Sequence, residues 1–240
     1  MITGKFEQHE TPLIRKLIGQ NDIFVNIGAN VGYYCCFAAK DGKPVIAFEP
    51  HAVNCKLLLR NLDVNGFTKH VEIHPTALGS ENGILKLYGS GTAASLIDGW
   101  AGISSESATL VPVITLDEVL ANRFENQSIF ILIDVEGAEF VVLQGALQTM
   151  RRNRQPWWLI EICITEHQPH GINVNPYLLK TFDLLTDNHY ELWTLSNTPR
   201  QVLRPEMEKI AQTGIDTILT HNFLCVTAET RDNALETLRS

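Results

Sequence analysis

The feature that most restricts this chain is a repeated alternation of short apolar runs with helical patterns. Ile23 to Ile27, Pro44 to Phe48, Val71 to His74, Ile129 to Ile133 and Trp157 to Ile162 each read as a strand. Helical stretches lie between them: Val31 to Lys40, His51 to Asn65 with Val53, Leu57, Leu58 and Leu62 at helical spacing, and Ala138 to Arg152. This order implies a parallel sheet with helices on both faces, an α/β fold. With 240 residues and 45% hydrophobic content the chain can bury such a core. We expect a single domain over 1–240, with an N-terminal helical segment over 1–20 and a core over 22–228.

The remaining elements follow from local signals. Thr11-Pro12 reads as an N-cap and a first helical position, with the helix running to about Gly19. Gly83 to Tyr88 alternates as an imperfect strand. Gly89 to Ser107 is rich in Gly, Ser and Ala and predicts a mobile loop, able to close over a substrate. Thr115 to Glu118 matches a capping box. A loop from Cys163 to Asn175 precedes a helix that Pro176 opens and that ends near Asn188. Tyr190 to Leu195 and Phe223 to Thr227 are the last strands.

A formal net charge of -8 speaks against gripping nucleic acid as the main task. The tight basic cluster, Arg151, Arg152 and Arg154, suits a helix C-terminus. No run approaches the ~18 uncharged apolar residues of a membrane span, and Met1 to Glu10 is polar. The five cysteines include no CxxC pair and no Cys/His grouping at zinc-ligand spacing. A reducing, cytoplasmic setting with cysteines in the core is expected.

Open parallel sheets bind ligands beyond the carboxyl ends of their strands, so the residues just after each strand matter most. The first strand ends in Asn26-Ile-Gly28-Ala-Asn30-Val-Gly32. Gly28 removes a side chain where backbone would approach a ligand, and Asn30 tolerates a left-handed turn. The next helix N-terminus offers N–H groups to an anion, or the segment is simply a tight turn. Glu49, in Phe48-Glu49-Pro50, lies 21 residues after Gly28. An acid at that distance can accept both ribose hydroxyls of a nucleoside, or sit on the surface. The fourth strand ends in Asp134-Val-Glu136-Gly-Ala-Glu139. Asp134 at the strand tip could hold a cation, accept a proton or help bind a metal. Glu139 fits the first helical turn, where the dipole favours an anion. Glu161 lies in the next strand and His167 in the loop after it.

These segments together resemble the FkbM-type methyltransferases. Val25-Asn-Ile-Gly-Ala-Asn-Val-Gly-Tyr-Tyr34, Ala47-Phe-Glu-Pro50, Thr76-Ala-Leu-Gly79, Thr115-Leu-Asp117 and Ile133-Asp-Val-Glu-Gly-Ala-Glu139 occur in that family's order. The likeness runs from about residue 22 to 195, and less clearly to Ala228. It implies a Rossmann-like class I methyltransferase fold: a seven-stranded, mostly parallel sheet whose last strand, Phe223 to Thr227, is antiparallel. It also implies S-adenosyl-L-methionine as methyl donor, S-adenosyl-L-homocysteine as product, and O-methylation of a small-molecule, sugar or glycan acceptor.

Carried over by position, Asn26, Gly28, Ala29, Asn30 and Gly32 would hold the methionine end. Glu49, with Pro50 beside it, would hold the ribose. Thr76, Ala77 and Leu78 would flank the adenine, and Asp134 and Glu136 would line the reaction centre. The family usually has Asp where this chain has Asn26, and often Lys where it has Leu132. The first change removes a countercharge to the methionine ammonium, and the second leaves Asp134 in a more negative setting. For the general base, Asp134 ranks first, His167 second and Glu136 third. A Mg²⁺-assisted version would draw on Asp134 with Glu161 or Glu136, but no metal site is favoured. The competing readings are an NAD-dependent oxidoreductase, disfavoured by the Gly28-Ala-Asn-Val-Gly32 spacing, and a non-catalytic S-adenosylmethionine-binding protein.

Overall fold

The computed structural model describes residues 7–104, 106 and 108–240. In chain order its strands are β1 (Ile23–Ile27), β2 (Val45–Phe48), β3 (Val71–His74), β4 (Ala77–Leu78), β5 (Gly83–Leu87), β6 (Thr109–Ile114), β7 (Ile129–Ile133), β8 (Trp157–Glu161), β9 (Tyr190–Thr194), β10 (Gln201–Val202) and β11 (Asn222–Thr227). Its α-helices are α1 (Glu10–Gln20), α2 (Tyr33–Lys40), α3 (Ala52–Val64), α4 (Leu116–Leu120), α5 (Glu139–Gln144), α6 (Leu147–Met150), α7 (Leu178–Asp187), α8 (Arg204–Thr213) and α9 (Arg231–Arg239).

Eight strands form the main sheet in the order β10-β9-β11-β8-β7-β1-β2-β3. The strands from β8 through β7, β1 and β2 to β3 pair in parallel. As expected, β11 inserts antiparallel, between β8 and β9. The sheet has one strand more than the seven expected. The extra one, β10, is a two-residue edge strand antiparallel to β9, too short to leave a periodic signature. The chain runs in opposite directions from β1, to β2 on one side and eventually to β7 on the other. That reversal opens a crevice at the strands' carboxyl ends.

Alternation along β1 divides the core. Ile23, Val25 and Ile27 pack with apolar residues of α4 to α8 on one face. Phe24 packs with residues of α1, α2, α3 and α9 on the other. Both faces of β7 are covered, so all five of its residues are buried. Each such side chain contributes about 1.5–3 kcal/mol of hydrophobic stabilisation.

Four local expectations are corrected. Helix α1 starts at Glu10 with His9 at its N-cap, so Thr11 lies inside the first turn, its N–H donating to the Glu7 carbonyl at 2.8 Å. The helix expected over Ala138 to Arg152 breaks into α5 and α6. There Gly145 crosses Gly79 so closely that a Cβ would lie 2.0 Å from the Gly79 carbonyl oxygen. Thr109 to Ile114, unassigned in the sequence, is β6, the centre of a second sheet ordered β4-β6-β5. Finally, the segment expected as a mobile loop over 89–107, of which 105 and 107 lie outside the described residues, is an anchored strap. Tyr88 and Ser95 form a bridge, and Trp100 within it is 1% exposed.

Among the described residues no helix is long and apolar enough to cross a membrane. The basic cluster does follow a helix: Arg152 donates to the carbonyls of Arg123 and Ala121, and Arg154 to that of Asn126.

Candidate active site

The cleft begins where β1 ends. Gly28 has φ +83°, and a Cβ there would fall 1.8 Å from the Asp134 carbonyl oxygen. Glycine thus lets the turn after β1 lie against the end of β7. The space left by the missing side chain holds neighbouring backbone, while Gly28 itself still lines the cleft. Asn30 sits at φ 51°, the left-handed turn anticipated for it. Gly32, also left-handed, leads into α2, where a Cβ would meet Leu58 Cγ at 2.9 Å.

Glu49 is only 4% exposed. Its Oε2 accepts the Asn30 N–H at 2.8 Å. Its Oε1 accepts the His51 N–H at 2.8 Å and Asn54 Nδ2 at 3.3 Å. Burial raises its pKa, and these three bonds oppose the rise. Of the four lone-pair sites of a carboxylate, three are taken, and one on Oε2 has no donor among the described residues.

Beside Glu49 and Pro50, the cleft is walled by Thr76, Ala77 and Leu78 after β3, and by Asp134 and Glu136 after β7. The space between these residues, continuous with solvent, is about 590 Å³. The Oδ1 of Asn30 and the Oγ1 of Thr76 are buried there without a hydrogen-bond partner.

Asp134 is enclosed. Burial, with the charges of Glu161, Glu136, Glu7 and Glu49, holds its carboxyl well above the ordinary range. Burial pushes Glu161 up to about 7, with Glu136 and Glu7 adding to the effect. Glu139, whose Oε1 accepts the Gly137 N–H at 2.8 Å, is pushed by burial to about 8. It sits in the first turn of α5 as expected, with its carboxyl shifted toward the protonated form. Among the described residues no group of three or more His, Cys, Asp or Glu is arranged to hold a metal ion.

The remaining candidates sit elsewhere. Asn26 is buried behind the cleft, its Nδ2 3.4 Å from Cys35 Sγ. Ala29 is buried, its N–H donating to the Phe48 carbonyl. Gly32 lies beneath Leu58. His167 is exposed, with its carbonyl accepting the Ala101 N–H and its ring centroid 6.2 Å from that of Trp100. None of these four lines the cleft.

The sequence reading missed the strap. Gly91, Thr92, Ala94 and Leu96 wall one side of the cleft. Asn54 Nδ2 bonds the Gly91 carbonyl at 3.0 Å, and Ser95 Oγ bonds the Glu136 carbonyl at 2.5 Å. The available signal was Trp100, a large apolar residue in an otherwise small and polar stretch.

A family model described as the methyltransferase FkbM domain matches residues 26–192. The chain belongs to the FkbM methyltransferase family. Among solved structures, the FkbM methyltransferase of Methylobacillus flagellatus KT superimposes with a TM-score of 0.51 at 17% identity, covering 85% of this chain and 43% of that one. The present chain thus spans less than half the length of that FkbM protein. A precorrin-6y C5,15-methyltransferase from Geobacter metallireducens GS-15 gives 0.45 at 11% identity, covering 92% and 87% of the two chains. A SAM-dependent O-methyltransferase from Thermotoga maritima gives 0.44 at 12%, covering 90% and 64%. No curated protein matches the chain. The likeness to the Methylobacillus structure is one of fold, a large and mostly parallel sheet flanked by helices.

Proposed function

We propose that the chain is an S-adenosylmethionine-dependent O-methyltransferase acting on a hydroxyl of a sugar, glycan or natural-product acceptor. One observation carries the cofactor reading. Glu49 lines the cleft and is fixed there by two backbone N–H groups and Asn54, with one acceptor site unused by the described residues. The unpartnered Oδ1 of Asn30 and Oγ1 of Thr76 lie in the same cleft, so its polar groups fit a nucleoside. Glu49 would accept one ribose hydroxyl, Thr76, Ala77 and Leu78 would flank the base, and Gly28 to Asn30 would border the amino-acid tail. The bound cofactor supplies an electrophilic methyl group on a sulfonium.

The chain's own part is to align an acceptor hydroxyl, take its proton and exclude water. Asp134 is the base favoured here: it is at the cleft, and its raised pKa makes it a stronger base than an ordinary carboxylate. Glu136 is engaged by Trp100, and His167 stands outside the cleft, which leaves both behind Asp134. The strap excludes water on the side opposite the sheet. Five free thiols, four of them buried, fit a reducing compartment such as the cytoplasm.

Tryptophan fluorescence tests the reading, because Trp100 hydrogen-bonds Glu136, which lines the cleft. S-adenosylhomocysteine should change the emission saturably and NADH should not. The reverse pattern would favour a dinucleotide enzyme.

A further inference from the structure

The second sheet ends in an uncovered strand. Its order β4-β6-β5 leaves one side of β5 with no strand beside it. Among the described residues the backbone of Gly83–Leu87 pairs with β6 alone. The first four residues of β5 are all exposed, so both of its faces meet solvent. Edges of this kind are normally shortened, bulged, or guarded by proline or charge. The other sheet edges follow that rule: β10 and β4 have two residues each, and β3 carries Glu72, ion-paired with Arg123. In contrast, β5 has five residues, pairs with β6 in unbroken register, contains no proline and holds one charge, Lys86.

Apolar side chains crowd this edge. Ile84 is 69% exposed, and Leu110 of β6 is 73% exposed. Ile84 stands opposite Pro112, and Lys86 opposite Leu110. Residues two apart share a face, so Ile84, Pro112 and Leu110 form one outward apolar patch beside the free backbone. The other face is the inner one, where Leu87, Val111 and Val113 cluster with Ala77.

A free strand edge is matched by the edge of another strand, and charge decides which one. Glu81 lies just before β5 and Lys86 near its end; among the described residues neither side chain has an ion-pair or hydrogen-bond partner. A second copy of β5 running antiparallel brings each Lys86 to the Glu81 end of the other. A parallel copy would set Lys86 beside Lys86, which is destabilising. A two-fold axis at Ile84 faces that residue with its own copy and sets Lys86 opposite the second copy's Asn82, next to Glu81. The edge is therefore complementary to itself, as a two-fold interface requires.

We propose that the chain associates as a two-fold dimer through antiparallel pairing of β5 with β5 of a second copy, centred on Ile84. The two small sheets then become one. The interface adjoins the strap, because Tyr88, the residue after β5, bridges Ser95. Pairing uses up the free side of β5, so assembly stops at two copies.

Sedimentation velocity of the full chain across micromolar concentrations tests this, with far-UV circular dichroism to confirm that each variant folds. The expected result is a reversible monomer–dimer equilibrium. Ile84→Lys sets two ammonium groups face to face at the axis and should weaken the dimer about tenfold or more. Val64→Lys, at a position 71% exposed on α3, should leave it unchanged. Lys86→Glu should weaken the dimer, and adding Glu81→Lys to the same chain should restore it. That exchange reads the antiparallel register even if Ile84→Lys fails to fold. A chain that stays monomeric, assemblies larger than two, a dimer indifferent to a folded Ile84→Lys, or a charge-exchanged chain that pairs no better than Lys86→Glu each overturns the inference.

Discussion

Trp100 Nε1 donates to Glu136 Oε2 at 2.8 Å, fastening the strap to the turn after β7. The indole lies over Gly137, where a Cβ would come within 2.5 Å of the ring. The strap is thus secured at one end by Trp100 on Glu136 and at the other by Asn54 on Gly91.

Trp100→Phe keeps most of the ring and removes the N–H. A hydrogen bond to a charged group contributes about 1.5–3 kcal/mol. Partial exposure of Glu136 to solvent places the expected loss at about 1 kcal/mol in urea unfolding. The larger effect should be kinetic: stopped-flow release of S-adenosylhomocysteine should speed up several-fold. Unchanged release would mean that the strap does not govern exit.

Gly28→Ala separates conformational strain from close approach. At Gly28 both apply, since φ is +83° and the Asp134 carbonyl occupies the Cβ position. At Gly42 φ is +74° but nothing lies within 4 Å. Gly42→Ala should cost about 1 kcal/mol, and Gly28→Ala about 3 kcal/mol or more. Equal costs in denaturant unfolding would show that β1 and β7 do not meet as described.

Glu49→Ala removes the acceptor of three donors as well as the proposed ribose ligand. Destabilisation of about 1–3 kcal/mol is expected, together with loss of S-adenosylhomocysteine affinity of similar size. Thermal unfolding with and without ligand reads both. A stability loss with affinity intact would assign Glu49 to the fold alone.

Stability should fall as pH rises through neutrality. Burial lifts Glu139 from an ordinary 4.5 to about 8 and Glu161 to about 7. Between the unfolded and folded values the folded chain binds more protons, so rising pH favours unfolding. The effect is absent below about pH 4.5 and reaches at most about 1.4 kcal/mol per pH unit for each group. Glu139→Gln preserves an acceptor for the Gly137 N–H and should flatten the decline between pH 5 and 8. Parallel pH profiles for the two proteins would contradict the burial described for Glu139.

Strands with apolar runs were legible: β1 and β7 fall where their residues announce them, as does the alternating β3. So did the cleft residues Gly28, Asn30, Glu49 and Asp134, because strand ends in a parallel sheet collect ligand groups. What escaped depends on distant contacts. The break at Gly145 follows from its approach to Gly79, residues far apart in sequence. Pro112 obscured β6. Its missing N–H is tolerated because β4 pairs only with Val113 and Ile114, leaving Pro112 past the end of that ladder. The strap has the composition of a loop, and only the burial of Trp100 reveals that it is fixed. The helices α8 and α9 went unassigned, although Ala234, Leu235 and Leu238 of α9 pack in the same cluster as Leu13 and Leu17 of α1.

Diffraction from crystals grown with S-adenosylhomocysteine tests the central claim most directly. The expected map shows the ribose against Glu49, the base beside Leu78 and the amino-acid tail running toward Asp134. A cleft without ligand at saturating concentration, or a ligand seated elsewhere on the chain, would contradict it.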